Sequence, residues 1–336
     1  MNTARANRHG PYLYQLGLNT DTTPVSVYQG GKTMNCFMQT IDMPWPVDLG
    51  LVDDGGYIVT SGNYNMEVIR TDAHGGEVFA VTHDFCGAGE SGMSVLQTGD
   101  DFVVAGHGGC GNMIAKLHGD GSQMWKKQYQ ESMRGSVYCG IEAEDGGFML
   151  LTSAGSLFRT NPIGDSLWQR KPTHLNEAYE LVSTSDRGFI VAGNRIIKVD
   201  SVGQPEWSRS GPLGGTGYAV VHLKNGGFAV AGLGSVMKVN EVGDSVWTAT
   251  VGSGKFYGIS EMPDGDIVAA GIVGNIFERG DISVVRLSPS GGIRWNTTLP
   301  GTWLPKSIQA TPDSGLVFCG SNKLLKTDGR ASLVAE

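Results

Sequence analysis

Charge is scarce in this chain of 336 residues: Asp, Glu, Lys and Arg make up 17%, and the acids outnumber the bases to leave a net charge of −8. A weakly charged, acidic surface excludes nucleic acid as the expected partner. Long apolar runs are missing, and none approaches the ~20 residues needed to span a bilayer as a helix. The N-terminus, Met1 to Arg8, lacks the apolar core of a signal peptide and is free of acids up to Asp21. The expected location is therefore intracellular or organellar, or secreted with the export signal outside this chain. Cysteine is sparse and odd in number: Cys36, Cys86, Cys110, Cys139 and Cys319. A fully disulfide-paired framework would need an even count. No sustained helical period appears, and 51 glycines argue against long helices. Neither a Cys-x-x-Cys-His haem site nor a Gly-x-Ser-x-Gly elbow is present, and no other catalytic constellation stands out. The expectation is a non-enzyme with no catalytic residues and no resident cofactor.

What is present is a repeat. Asp or Asn, glycine and an aromatic residue are followed by a β-branched run, then by apolar-basic-apolar-acid/amide, a Gly turn and Trp. Asn225-Gly226-Gly227-Phe228, leading to Lys238, Asn240, Gly243 and Trp247, is a clear copy. The register residues are Tyr57, Phe102, Phe148, Phe189, Phe228, Ile267 and Leu316, separated by 45, 46, 41, 39, 39 and 49 residues. Each unit holds four short apolar runs between turn residues, which predicts four strands. Four strands repeated about every 40 residues predict an all-β propeller of antiparallel blades. Seven units predict seven blades over residues 46–336. Residues 1–45 are less regular and supply either closing strands or a degraded eighth blade. Aligning Gly31 with Gly203 places Asn35 at the Trp position, while a turn at Asp328-Gly329 would let Ala331 to Val334 complete the last unit from its own end.

Phe79, Trp125, Trp168, Trp207, Trp247 and Trp295 recur at the start of the outermost strand, a structural position between blades. Arg70, Lys116, Arg159, Lys198, Lys238, Arg286 and Lys326 recur in the third strands, where the stem covers apolar surface and the head is expected to pair with an acid.

The run Lys198 to Trp207 (Lys-Val-Asp-Ser-Val-Gly-Gln-Pro-Glu-Trp) resembles the tryptophan-docking repeat of PQQ-like, or quinoprotein-like, propellers. The Asp-Gly-Gly-Phe run is also similar to repeats of large secreted bacterial propellers. The resemblance covers about residues 46 to 336 and implies the propeller fold. It also implies a quinoprotein-type oxidoreductase as a third functional alternative. The chain has no adjacent Cys-Cys pair, however, and no assignable Asp-Glu-Asn calcium set.

Function is sought where the repeat breaks. His83-Asp84-Phe85-Cys86 and His107-Gly108-Gly109-Cys110 are two His-x-x-Cys pairs that a propeller would bring to one face. Two imidazoles and two thiolates suit tetrahedral zinc; a Cys86–Cys110 disulfide and unlinked residues are the alternatives. Units one, two and six have long loops between their second and third strands, and that of unit six carries Phe277, Glu278 and Arg279. Trp45 and Trp303 lie off the Trp repeat and are candidates to contact a sugar or a partner's apolar anchor. Tyr138, Tyr179, Tyr218 and Tyr257 stand ten residues before the register residue and are expected to pack between blades. The leading expectation is an interaction or assembly scaffold presenting one propeller face to a protein partner. The alternative is a carbohydrate-binding propeller.

Overall fold

The computed structural model describes residues 25–29, 32–43, 46–62, 65–84, 87, 89–129, 135–273, 281–299 and 305–331. Two N-terminal strands, β1 (Val25–Gln29) and β2 (Lys32–Thr40), precede the blades. The first blade is β3 (Pro46–Leu51), β4 (Tyr57–Ser61), β5 (Met66–Thr71) and β6 (Glu77–His83). The second is β7 (Ser91–Thr98), β8 (Asp101–Gly108), β9 (Gly111–Leu117) and β10 (Gln123–Tyr129). The third is β11 (Val137–Glu142), β12 (Phe148–Thr152), β13 (Leu157–Thr160) and β14 (Ser166–Arg170). The fourth is β15 (Ala178–Ser183), β16 (Phe189–Gly193), β17 (Ile196–Val199) and β18 (Pro205–Arg209). Then come β19 (Gly217–His222), β20 (Phe228–Val239), β21 (Ser245–Glu261), β22 (Ile267–Val273), β23 (Asp281–Leu287) and β24 (Ile293–Leu299) in one six-stranded sheet. The last blade is β25 (Ser307–Ala310), β26 (Leu316–Gly320) and β27 (Lys323–Thr327), extended by β2 and β1.

The expectation of seven blades, or eight, is therefore corrected: the described strands form six blades. The cause lies in the fifth and sixth repeats, whose hydrogen bonding runs on without a break. β20 and β21 each do the work of two strands. β20 bends at Leu233-Gly234, where Gly234 has φ +61, and β21 bends at Gly252, with φ +129. Leu233 pairs with Lys255 and Ser235 with Thr250, so the tight turn of one repeat is stitched to the first strand of the next. Elsewhere longer connections separate adjacent repeats.

β2 takes the place expected for residues 331–334, of which 332–334 lie outside the described residues. It runs antiparallel to β27, with Phe37 opposite Lys326, in the place that an outermost strand holds in the other blades. The innermost strands touch in sequence around the ring, and β25 meets β3 to close it.

Two local devices hold the blades. In the turn before the second strand, the Val52 amide donates to the Gly56 carbonyl and the Asp54 carboxylate accepts from the Gly56 amide, with Gly55 at φ +87. In five repeats that acid then pairs with the basic residue of the third strand: Arg70 with Asp54, Arg159 with Asp145, Lys198 with Asp186, Arg286 with Asp264, and Lys326 with Asp313; in the second repeat, where Gly99 holds the acid's place, Lys116 pairs instead with Asp101, directly before Phe102. The fifth repeat carries Asn225 at this place, and no such pair forms there among the described residues.

The second device joins neighbouring repeats. The ring of an outer-strand aromatic packs against a left-handed turn glycine of the next repeat in all but one case. A Cβ on Gly164 would stand 2.8 Å from Trp125, on Gly203 2.6 Å from Trp168, on Gly243 2.7 Å from Trp207 and on Gly291 2.7 Å from Trp247. Only glycine leaves room for these rings. Trp295 packs against the core cluster that includes Ala331, which holds the matching turn position and, with φ +56, the same left-handed conformation. Phe37, not Asn35, takes the aromatic place of the last blade, and it packs on Gly75 of the first.

Candidate functional site

The innermost strands present one edge to the channel at the centre of the ring. Six of them carry a register shift near their start: between Pro46 and Asp48, Gly92 and Ser94, Val137 and Cys139, Ala178 and Glu180, Gly217 and Ala219, and Phe256 and Gly258. A bulge re-aims the extra residue, so the side chains at the shift turn toward the channel. These are Val47, Met93, Tyr138, Tyr179, Tyr218 and Tyr257, and Lys306 holds the matching place in the seventh repeat. They form a first ring around the channel mouth. The next residues, Asp48, Ser94, Cys139, Glu180, Gly258 and Ser307, line a second ring behind it. Together the two rings bound a cavity of about 960 Å³, in the size range of small-ligand pockets.

The four tyrosines make a continuous arc. Ring centres lie 6.5 Å apart for Tyr138–Tyr179, 5.0 Å for Tyr179–Tyr218 and 5.7 Å for Tyr218–Tyr257. The first two contacts are edge-to-face. Lys255 Nζ lies 5.2 Å from the Tyr218 ring centre and Lys306 Nζ 5.6 Å from that of Tyr257, both within cation–π range. Tyr138 remains 40% exposed, so the arc faces the channel as well as packing between repeats.

The second ring has a structural task. An edge strand leaves backbone groups unpaired, and buried ones must find partners. Asp48 Oδ2 accepts from the Val95 amide at 3.0 Å, and Oδ1 from its neighbour Leu49 at 2.8 Å. Glu180 Oε2 accepts from the Val220 amide at 2.7 Å, and the Ser94 hydroxyl donates to the Gly140 carbonyl at 3.1 Å. Repeats one, two and four thus each hold the inner edge of the next. Burial pushes the Asp48 carboxyl up against the pull of these hydrogen bonds. Burial also pushes Glu180 up to about 8, the Val220 amide opposing and the nearby Asp48 charge adding to the rise. Both acids therefore lie in a setting that disfavours their charge. Burial likewise raises the Cys139 and Cys319 thiols and lowers the Lys306 ammonium.

Trp45, Trp303, Phe277, Glu278, Arg279 and Cys86 lie outside the described residues. Cys110 is disulfide-bonded, while Cys36, Cys139 and Cys319 are free thiols. His83 is buried and its Nε2 has no hydrogen-bond partner; His107 Nδ1 lies 3.3 Å from the Val137 carbonyl. Burial holds both imidazoles below their usual range. Among the described residues no three His, Cys, Asp or Glu side chains are grouped to hold a metal. Asp48 and Glu180 were missed in the sequence. Their signal was an acid directly after the bulge residue, where other repeats have Ser, Cys, Ala or Gly.

No family model matches this chain. No curated protein matches it either. Among solved structures it is similar to the WD40 beta propeller domain of Doa1, at 17% identity and a TM-score of 0.67, with 86% of this chain and 94% of that one covered. Streptogramin B lyase aligns at 13% identity and a TM-score of 0.69, covering 87% and 97%. U3-55K aligns at 8% identity and a TM-score of 0.70, covering 86% and 97%. At these identities the likeness carries the propeller fold alone, and the resemblance to PQQ-like repeats stays at the level of the motif. Among the described residues no helix is long and apolar enough to cross a membrane.

Proposed function

We propose that this protein is a non-enzymatic interaction module that takes a protein partner at the mouth of its central channel, with the tyrosine arc as the contact surface. The observation that carries this reading is the arc itself. Four tyrosines from four successive repeats line one side of a cavity of about 960 Å³. Tyrosine gives large contact area at low entropic cost and is enriched among residues that dominate binding energy. Similarity to WD40 propellers supports the scaffold on which such a surface is mounted. Phe277, Glu278 and Arg279, in the loop expected to be long in repeat six, remain further candidates for the partner contact. No resident cofactor is expected. Zinc at His83 and His107 would have to do without the Cys110 thiolate while that residue is disulfide-bonded.

The test is affinity capture with the wild-type chain and a Tyr179→Ala/Tyr218→Ala variant, followed by calorimetry with the purified captured protein. A partner bound by the wild type and lost by the variant supports the reading. Equal binding by both removes the arc from the interface.

Carbohydrate binding is the second reading, favoured by the same tyrosine rings along the cavity, since aromatic plates suit sugars, with Trp45 and Trp303 as further candidates. A glycan array that stays blank removes it.

A further inference from the structure

We propose that the second ring of the channel is a seat for an organic cation: an alkyl-ammonium or guanidinium group that passes the tyrosines and settles between Asp48 and Glu180. This deepens the reading of the channel mouth as a binding site and rests on it. Asp48 and Glu180 come from repeats one and four, so they reach the channel from different sides of the ring. Both line the same cavity. Their level also offers Ser94, Cys139 and Ser307, which are hydrogen-bonding groups without positive charge. No base stands among them; Lys306 belongs to the first ring, over Tyr257.

Desolvation holds the two carboxyl groups away from ionisation, and no neighbouring cation offsets it at either acid. An entering cation supplies the missing charge. The backbone amides of Val95 and Val220 already orient the two carboxyls, so the seat needs little rearrangement. The approach is suited to the same ligand. Tyrosine faces attract cations, and Lys255 and Lys306 already use Tyr218 and Tyr257 in this way. The free alkyl stem of a lysine- or diamine-like ligand would run along the arc while its charged end reaches the acids.

Binding is coupled to protons. The cation favours the ionised carboxylates, so Glu180 and Asp48 give up protons to the solvent and affinity rises with pH until both are ionised without help. The other titratable groups lining the same cavity are Cys139, held neutral by burial, Lys306, whose ammonium is already disfavoured by burial, Asp53, Glu142 and the four tyrosines.

The experiment is isothermal titration calorimetry of the full chain at pH 6 and pH 8.5. The probes are 1,5-diaminopentane and butylguanidinium as free cations, and acetyl-Gly-Lys-Gly-amide as a protein-borne one. The expected result is saturable binding of at least one probe, about tenfold tighter at the higher pH, with a heat at pH 6 that depends on the buffer's ionisation enthalpy because protons are released. Preference for the peptide over the diamine assigns the seat to a partner's side chain, and the reverse to a free amine. Glu180→Gln keeps an oxygen for the Val220 amide and is expected to lose about tenfold in affinity and the proton release together. Absence of saturable heat with all three probes overturns the proposal, as does binding by the wild type without proton release. Loss of partner capture on removing the tyrosines, together with no cation binding, would reject the seat and leave the interaction surface standing.

Discussion

The ring of Phe37 packs against Gly75 so closely that a Cβ on that glycine would stand 2.6 Å from Cε2. The two residues join the last blade to the first. Phe37 sits on β2 opposite Lys326, as Trp207 sits opposite Lys198 in the fourth repeat, so a strand from the N-terminal side completes a blade whose other strands lie near residue 320. Closure of the ring thus uses the same aromatic-on-glycine contact that joins the repeats elsewhere.

Truncation of this ring tests the closure. Phe37 is 1% exposed and also meets Tyr57, with ring centres 6.0 Å apart. Phe37→Ala is expected to cost about 3–5 kcal/mol, read from urea or thermal unfolding. A loss below 1 kcal/mol would mean that β2 is not needed for the closed ring.

Two glycines separate backbone conformation from close packing. Gly75 and Gly99 both have positive φ, +83 and +60, but only Gly75 has a ring against it; nothing lies within 4 Å of a Cβ on Gly99. Gly99→Ala is expected to cost about 1–2 kcal/mol, the penalty for a left-handed alanine. Gly75→Ala adds the displacement of Phe37, for a total of roughly 2–5 kcal/mol. Equal unfolding midpoints for the two variants would contradict the docking contact.

Glu180 sets a pH dependence. Its folded-state pKa is raised from 4.5 to about 8, so the folded protein holds a proton that the unfolded chain releases. The stability from this group is fully present below pH 4.5 and is lost as pH rises through 8. Thermal melts from pH 5 to pH 8.5 are expected to show a decline that Glu180→Gln flattens. An unchanged slope in the variant would show that Glu180 is not the group responsible.

Thiol chemistry is expected to be quiet. Burial pushes Cys36 up to about 12 and raises Cys139 and Cys319 as well, so few thiolates exist near neutral pH. Iodoacetamide on the native protein is expected to leave these three largely unmodified over an hour. The same reagent in denaturant without reductant is expected to label all three and not Cys110. Peptide mapping reads both outcomes, and rapid native labelling of Cys139 would show that the channel is more open than described.

The sequence carried those parts of the fold that are written locally. The Gly turn, the acid before it, the base on the third strand and the aromatic on the fourth lie within one repeat, and each contact they make is repeated. The blade count was not legible, because it depends on whether hydrogen bonding stops between repeats. At Leu233-Gly234 and Val251 to Gly254 the turns are so tight that Leu233 pairs with Lys255 and two repeats merge. The aromatic place of β2 reads from the sequence as Asn35, two residues from Phe37, because the register of β2 is set by β27, almost 300 residues distant in the chain. The tyrosine series was visible, but its direction was not. A bulge, which no residue type marks, turns the rings toward the channel instead of leaving them only between repeats. The same bulge hides Asp48 and Glu180 among positions that otherwise hold small residues.

The central claim is that the tyrosine arc at the channel mouth is the binding surface. The most direct measurement is the affinity of a captured partner for wild type and for Tyr179→Ala/Tyr218→Ala, by calorimetry, with thermal melts to check folding. The account predicts a loss of at least tenfold in affinity with the melting temperature kept within a few degrees, because both rings line the channel and neither is fully buried. Unchanged affinity in a folded variant would contradict it.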